Sequence, residues 1–159
     1  MIKNVLVTGG AGYIGAHTVD ALVKSGFSPI IVDDFRNSNP SVIKDLSTLI
    51  GFEPVFFNID ICDKSALKEI FANHQINAVI HFAAFKAVGE SVTEPLKYYQ
   101  NNLIGLLNII ECMQLFEVHE LVFSSSCTVY GEPDAVKEVN EKTPKQLPTS
   151  PYGFTKWMA

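Results

Sequence analysis

Short apolar runs of strand length alternate along the chain with segments in which apolar residues recur every three or four positions. Such alternation predicts a parallel sheet covered by helices. The first strand is Asn4 to Thr8, followed by the turn Gly9-Gly10-Ala11-Gly12 and a helix from about Tyr13 to Ser25 that Gly26 stops. The second strand is Pro29 to Asp33; after the polar loop Arg36-Asn37-Ser38-Asn39, Pro40 suits a first helical position and Val42, Ile43, Leu46, Leu49 and Ile50 form an apolar stripe ended by Gly51. A third strand, Pro54 to Asn58, precedes a helix from about Lys64 to Asn73, with Asp63 as N-cap and Leu67, Ile70 and Phe71 facing inward. The fourth strand is Ala78 to Phe82. A long helix then starts near Pro95, with Leu96, Tyr99, Leu103, Leu106, Ile110 and Met113 at alternating steps of three and four. That stripe fits packing on its own sheet or a helical seam with a second subunit. The fifth strand is Glu120 to Ser124, Gly131 to Ser150 is a polar loop, and a helix begins after Pro151.

Composition narrows the picture. With 159 residues, 47% of them hydrophobic and 18% charged, the chain has the size of one domain with a real core, and disorder is excluded. A formal net charge of −5 argues against nucleic-acid tracts and anionic lipid as partners, but leaves room for a single nucleotide bound locally. Cys62, Cys112 and Cys127 cannot all pair and sit at no metal-ligand spacing, which points to a reducing compartment and to no metal. The opening apolar run Val5-Leu6-Val7 is far short of a signal peptide or membrane span, so a soluble cytoplasmic protein is expected.

Candidate chemistry begins at the first turn. Gly10-x-Gly12-x-x-Gly15 lies between a strand and a helix, where glycine permits the tight turn, lets a pyrophosphate approach the backbone and allows close helix packing. Asp33 ends the second strand, 18 residues beyond Gly15, where a carboxylate accepts from ribose hydroxyls and repels a 2′-phosphate; Asp34 beside it suits the same role. This favours NAD over NADP, although Arg36 is placed to serve a 2′-phosphate. Together these features predict a Rossmann-type doubly wound parallel sheet, in which ligands lie beyond the carboxyl ends of the strands. The residues at those ends are Asp60 and Ile61, Phe82, Ala83, Ala84 and Lys86, and Ser124, Ser125 and Ser126. Each also has an ordinary structural explanation as a turn cap, a small packing residue or a backbone-bonding serine.

The strongest constellation is Tyr152-x-x-x-Lys156. Four residues apart on a helix, the ammonium and the phenol share a face. At about 5 Å and an effective dielectric of about 20 their attraction is roughly 3 kcal/mol, enough to lower a phenol pKa by on the order of two units toward that of a working general base. The bland alternative is an ordinary amphipathic helix start.

These residues resemble the extended branch of the short-chain dehydrogenase/reductase superfamily. Thr8-Gly9-Gly10-Ala11-Gly12-Tyr13-Ile14-Gly15 matches its fingerprint, and Ser126, Tyr152 and Lys156 match its catalytic set. Within that branch, the runs His81 to Ser91, Tyr98 to Asn102 and Ser124 to Gly131 are similar to the UDP-glucose 4-epimerase family. The resemblance implies reversible interconversion of UDP-glucose and UDP-galactose with a tightly held NAD. Tyr152 would take the proton of the sugar 4-hydroxyl, Ser126 would hydrogen-bond that oxygen, and Lys156 would hold the nicotinamide ribose. It further implies that Tyr13, Ile14, Asp33, Asn37, Ser38, Asp60, Ile61, Phe82, Ala83, Ala84, Lys86 and Asn101 line the cofactor, with Lys86 and Thr128 toward the sugar. A homodimer built on the helices near Pro95 and Tyr152 is implied as well. Members of that family are about twice as long, so a partial domain lacking the C-terminal nucleotide-sugar part is expected. Cys127 stands where the family has alanine. Two alternatives stay open: another nucleotide-sugar epimerase or a dehydratase of the same branch, although dehydratases carry an acidic pair where Cys127-Thr128 stands; or a non-catalytic NAD-binding module.

Overall fold

The computed structural model describes residues 3–132 and 138–159; the stretch 133–137 of the Gly131 to Ser150 loop, and residues 1 and 2, lie outside the described residues. The strands are β1 Asn4–Thr8, β2 Ser28–Asp33, β3 Val55–Asn58, β4 Ile76–His81 and β5 Glu120–Phe123, and all neighbours pair parallel in the order β3-β2-β1-β4-β5. The chain divides into two compact units, Met1–Ala83 with Gly105–Ser124, and Ala84–Ile104 with Ser125–Ala159.

The first unit carries the whole sheet. Side chains alternate along a strand, so Val5, Val7 and Ile31 face one side while Leu6, Ile30 and Val32 face the other. The first set packs with Val19 of α1 (Tyr13–Lys24) and with Ile43 and Leu46 of α2 (Ser41–Ile50). The second packs with Leu67, Ile70 and Phe71 of α3 (Lys64–Asn73), and with Ile109, Cys112 and Met113 of α6, Gly105–Leu115. Helices on both faces of an all-parallel sheet make it doubly wound, as the alternation of runs predicts. Asp63 caps α3 as expected, its side chain accepting from the N–H groups of Ser65 and Ala66 at 3.1 Å. Pro40 instead stands one residue before α2, and within the expected stripe Leu49 is 58% exposed, so Ile43 and Leu46, with partly buried Val42, anchor that helix.

The second unit holds α4 (Val88–Thr93), α5 (Pro95–Tyr99), a π-helical turn Gln100–Ile104, a 3₁₀ turn Cys127–Tyr130 and α7 (Pro151–Met158). Its centre is Tyr98, fully buried, whose hydroxyl donates to Glu90 at 2.6 Å and whose ring meets those of Phe85 and Tyr152. Burial, reinforced by the Glu90 carboxylate, pushes the Tyr98 hydroxyl up to about 12. Neither α4 nor the 3₁₀ turn is foreseen in the sequence pattern.

The long helix near Pro95 departs from expectation. It divides into α5, the π-helical turn and α6, and the π turn inserts an extra residue that rotates everything after it. The buried face is therefore Tyr98, Asn102, Leu106, Ile109 and Met113, whereas Leu96 of the expected stripe is 67% exposed and Tyr99, Leu103 and Ile110 are only half-buried.

Candidate functional site

In the first unit the glycine-rich turn is built by close packing. A Cβ on Gly15 would lie 2.1 Å from the carbonyl oxygen of Gly9, and one on Gly9, at φ 71°, would lie 2.7 Å from the Ala83 nitrogen. Both positions exclude any side chain. Gly12 differs: its backbone is ordinary extended chain, and a Cβ there would meet only the Gly9 oxygen at 3.2 Å. The missing side chain at Gly12 leaves the N-terminus of α1 uncovered, where Tyr13, Ile14 and Gly15 are the residues whose N–H groups precede the intrahelical ladder. Tyr13 and Ile14 are exposed there. A cradle that one Cβ would fill, at a helix N-terminus, fits a pyrophosphate.

Asp33 is held against this turn. One carboxylate oxygen accepts from the Ala11 N–H at 3.0 Å, the other from the Phe35 N–H at 2.9 Å and the Ser38 hydroxyl at 2.8 Å. An ionised carboxylate offers about four acceptor positions, so one remains for a ribose hydroxyl. Asn37 is exposed in the same loop. Asp34 turns instead to Arg36, accepting from its backbone N–H at 3.0 Å and pairing with its Nε at 3.2 Å. The same guanidinium hydrogen-bonds Asp60. Burial works against ionisation of Asp60, but the Cys62 N–H at 2.8 Å and Arg36 outweigh it and hold the carboxyl below its ordinary value. The hydrogen bond to Asp60 in turn raises the Arg36 guanidinium above its ordinary value.

Among the other expected lining residues of this unit, Phe82 and Ala83 bring their N–H groups to the Thr8 carbonyl at 3.0 and 3.1 Å, which sets the close approach to Gly9. Ile61 points its side chain into the core, 95% buried, and its carbonyl accepts from Asn108 at 3.0 Å. Ser124 extends the ladder by donating its N–H to His81 at 3.1 Å. His81 itself is buried, with Nδ1 2.6 Å from the Thr8 hydroxyl and its ring stacked on Phe123.

The second unit gathers the candidate acid–base groups. Ser150 caps α7 by accepting from the Gly153 N–H at 3.1 Å, and Pro151 occupies its first turn. Tyr152 and Lys156 are both buried on this helix, and desolvation pulls the Lys156 ammonium down to about 8. A Cβ on Gly153 would lie 2.7 Å from Pro148 and 3.4 Å from the Cβ of Thr128, so α7 sits tightly on the 3₁₀ turn that Ser126 caps. The Ser126 oxygen accepts from both the N–H and the hydroxyl of Thr128, at 3.2 and 3.0 Å. With its lone pairs engaged, the Ser126 O–H is left to donate. Cys127, next to it, is exposed, as is Lys86, while Ala84 is half-buried.

Sequence reasoning missed Asn102. From the π turn its side chain accepts from the Phe85 N–H at 2.9 Å, and donates to the Phe85 carbonyl and to the Thr155 hydroxyl, each at 3.0 Å. Thr155 closes the network by donating to the Tyr152 carbonyl at 2.7 Å. Asn101 donates to Asn102 at 3.0 Å. A buried asparagine tying the loop before Lys86 to the helix of Tyr152 is a positioning device; in the sequence it is marked by its place in the run Tyr98 to Asn102, with no role attached.

A doubly wound parallel sheet, with a glycine-rich turn at β1 and a carboxylate ending β2, defines a protein of the Rossmann-type fold. The family model described as GDP-mannose 4,6 dehydratase matches residues 6–159, and the chain belongs to that family. It is 49% identical over 155 residues to a UDP-glucose 4-epimerase of Schizosaccharomyces pombe, covering 96% of this chain and 43% of that protein. A UDP-glucose 4-epimerase of Yersinia pestis is also 49% identical, over 97% of this chain and 45% of its own. Among solved structures, UDP-glucose 4-epimerase from Bifidobacterium longum in complex with NAD+ and UDP superimposes with a TM-score of 0.95 at 40% identity, over 98% of this chain and 46% of that one. The Stenotrophomonas maltophila enzyme, with bound NAD and formylated UDP-arabinopyranose, gives 0.92 at 44% identity, again over 98% and 46%. The chain thus spans less than half the length of these relatives. Among the described residues no helix is long and apolar enough to cross a membrane.

Proposed function

We propose that the protein carrying this chain is a UDP-glucose 4-epimerase that interconverts UDP-glucose and UDP-galactose. The observation that carries this reading is a buried tyrosine and a buried, desolvated lysine four residues apart on one capped helix, packed on the turn that presents the Ser126 hydroxyl. The curated relatives and solved structures with that activity support it. Gly9, Gly10, Gly12, Gly15 and Asp33 would hold NAD, which when bound would supply hydride acceptor and donor chemistry at carbon 4 of the hexose. Tyr152 takes the proton of the 4-hydroxyl and gives it back after the sugar has turned over. Ser126 donates a hydrogen bond to the same oxygen, and Thr128 fixes the serine in that orientation. Lys156, while protonated, stabilises by its charge the phenolate that forms as Tyr152 gives up its proton.

Cys127 and Thr128 follow Ser126, so no carboxylate stands there for the second proton transfer that a dehydration needs. This favours epimerisation over the activity for which the family model is described. A homodimer is supported by the exposed apolar residues Val92, Leu96 and Trp157 in the second unit and Leu107 in the first. Three cysteines, an odd number at no metal-ligand or redox spacing, suit a reducing, cytoplasmic setting.

The full-length protein that carries this chain, without added NAD, is expected to equilibrate UDP-galactose with UDP-glucose, and Tyr152→Phe in it to lower kcat by about 10²- to 10⁴-fold; residues 1–159 alone are expected to show no turnover. Full activity in that variant would remove Tyr152 as the base. Turnover of GDP- or dTDP-hexoses to a 6-deoxy-4-keto product, in place of UDP-hexose interconversion, would overturn the epimerase reading.

A further inference from the structure

We propose that Asp34 and Asp60 form a latch on Arg36 that makes the site discriminate against a 2′-phosphorylated dinucleotide, as a specificity device additional to Asp33. The inference rests on the cofactor reading above and deepens it. Between Asp34 and Pro40 the loop has one basic residue, Arg36, three positions beyond the carboxylate assigned to the ribose. A guanidinium so placed is the ordinary means of accepting a 2′-phosphate, because its planar fork binds phosphate oxygens in pairs.

In this chain the fork is directed elsewhere. Asp34 holds Arg36 at both ends, one oxygen on its backbone N–H at 3.0 Å and the other on Nε at 3.2 Å. Nη2 bonds Asp60, whose remaining oxygen is fixed by the Cys62 N–H at 2.8 Å. The guanidinium therefore bridges the loop after β2 and the turn after β3. Asp33 is separately pinned by Ala11, Phe35 and Ser38. A phosphate arriving beside Asp33 meets three carboxylates and one cation already shared by two of them. To recruit Arg36 it must break two ion pairs and leave Asp60 facing it as a like charge.

Arg36 is about half exposed and its partners about a quarter to a third, so each pair alone is weak. The latch acts by geometry: it sets where the one local cation stands, and its release shifts selectivity by tens of fold.

The test is calorimetric titration of the purified, nucleotide-stripped protein with NAD+ and with NADP+. The quantity read is the Kd for NADP+ divided by the Kd for NAD+, for the unsubstituted protein, Asp34→Asn/Asp60→Asn, and the same pair combined with Arg36→Gln. Asparagine keeps an acceptor for the Arg36 and Cys62 N–H groups, so the local turns survive. The expected result is a ratio that falls at least tenfold in the double variant and recovers when Arg36 is removed. A ratio that does not move, or that stays low without Arg36, overturns the latch; the second result would mean that the carboxylates act by bare repulsion. Absence of NAD+ binding by the unsubstituted protein overturns the cofactor reading and the latch together, whereas NAD+ binding with an unmoved ratio overturns the latch alone.

Discussion

In Lys156, the role proposed above and the stability of the fold oppose each other. Its ammonium, free in the unfolded chain at 10.5, is drawn to about 8 by burial. At about 1.4 kcal/mol per pH unit, this gap opposes folding by roughly 3 kcal/mol. A lysine whose folded pKa is depressed binds fewer protons when folded, so stability rises with pH between about 8 and 10.5 and the full penalty stands below 8. Lys156→Met is therefore expected to stabilise the ligand-free protein by up to roughly 3 kcal/mol at pH 7, with the gain shrinking above pH 8, while abolishing most turnover. Urea denaturation at pH 7 and 9.5 checks this; a variant less stable at pH 7 contradicts it. The Tyr152–Lys156 spacing was legible in the sequence because helical period alone places the pair on one face. The burial of Lys156 was not, since it depends on what covers the helix. Arg36 was equally ambiguous as a symbol in a loop, because its partner Asp60 comes 24 residues later.

The helix near Pro95 marks the limit of periodicity as a guide. Steps of three and four select a face only while the helix keeps one pitch, and the π turn at Gln100–Ile104 changes it. Read through that turn, the polar Asn102 falls on the buried face and the apolar Leu96 on the exposed one. Asn102 then satisfies both backbone groups of Phe85 and the hydroxyl of Thr155. Asn102→Ala leaves these groups without that partner, and a loss of about 2–4 kcal/mol in global stability is expected from urea titration. Asn102→Asp, which keeps the acceptor for the Phe85 N–H, is expected to lose less. Equal losses in the two variants would indicate that only side-chain volume matters there.

The sheet was legible almost completely. Five apolar runs, separated by helical segments too long for hairpins, leave parallel pairing as the natural solution, and the observed order puts β1 beside both β2 and β4. The alternation of side chains along those strands builds both core layers, with Leu6 on one and Val5 and Val7 on the other. What local pattern does not encode is the second unit, assembled from the segments Ala84–Ile104 and Ser125–Ala159 with only one long helical signal between them. Several of its contacts are polar, Tyr98 to Glu90 and Asn102 to Thr155, and such contacts leave no period in the chain.

The π turn also has a kinetic consequence. Its five residues end at Ile104, the last residue of the first segment of the second unit, and α6 begins at Gly105 in the other unit. Wider hydrogen-bond rings hold amide protons less well than α-helical ones, so the continuous helix contains a short stretch able to open without unravelling its ends. Deuterium uptake should be faster across residues 100–104 than across the Leu106–Met113 segment, whose inward face is buried. Uniform protection from Pro95 to Leu115 would show one cooperative rod; a fast centre would show a helix that fluctuates as two pieces, with Asn102 in the piece that exchanges first.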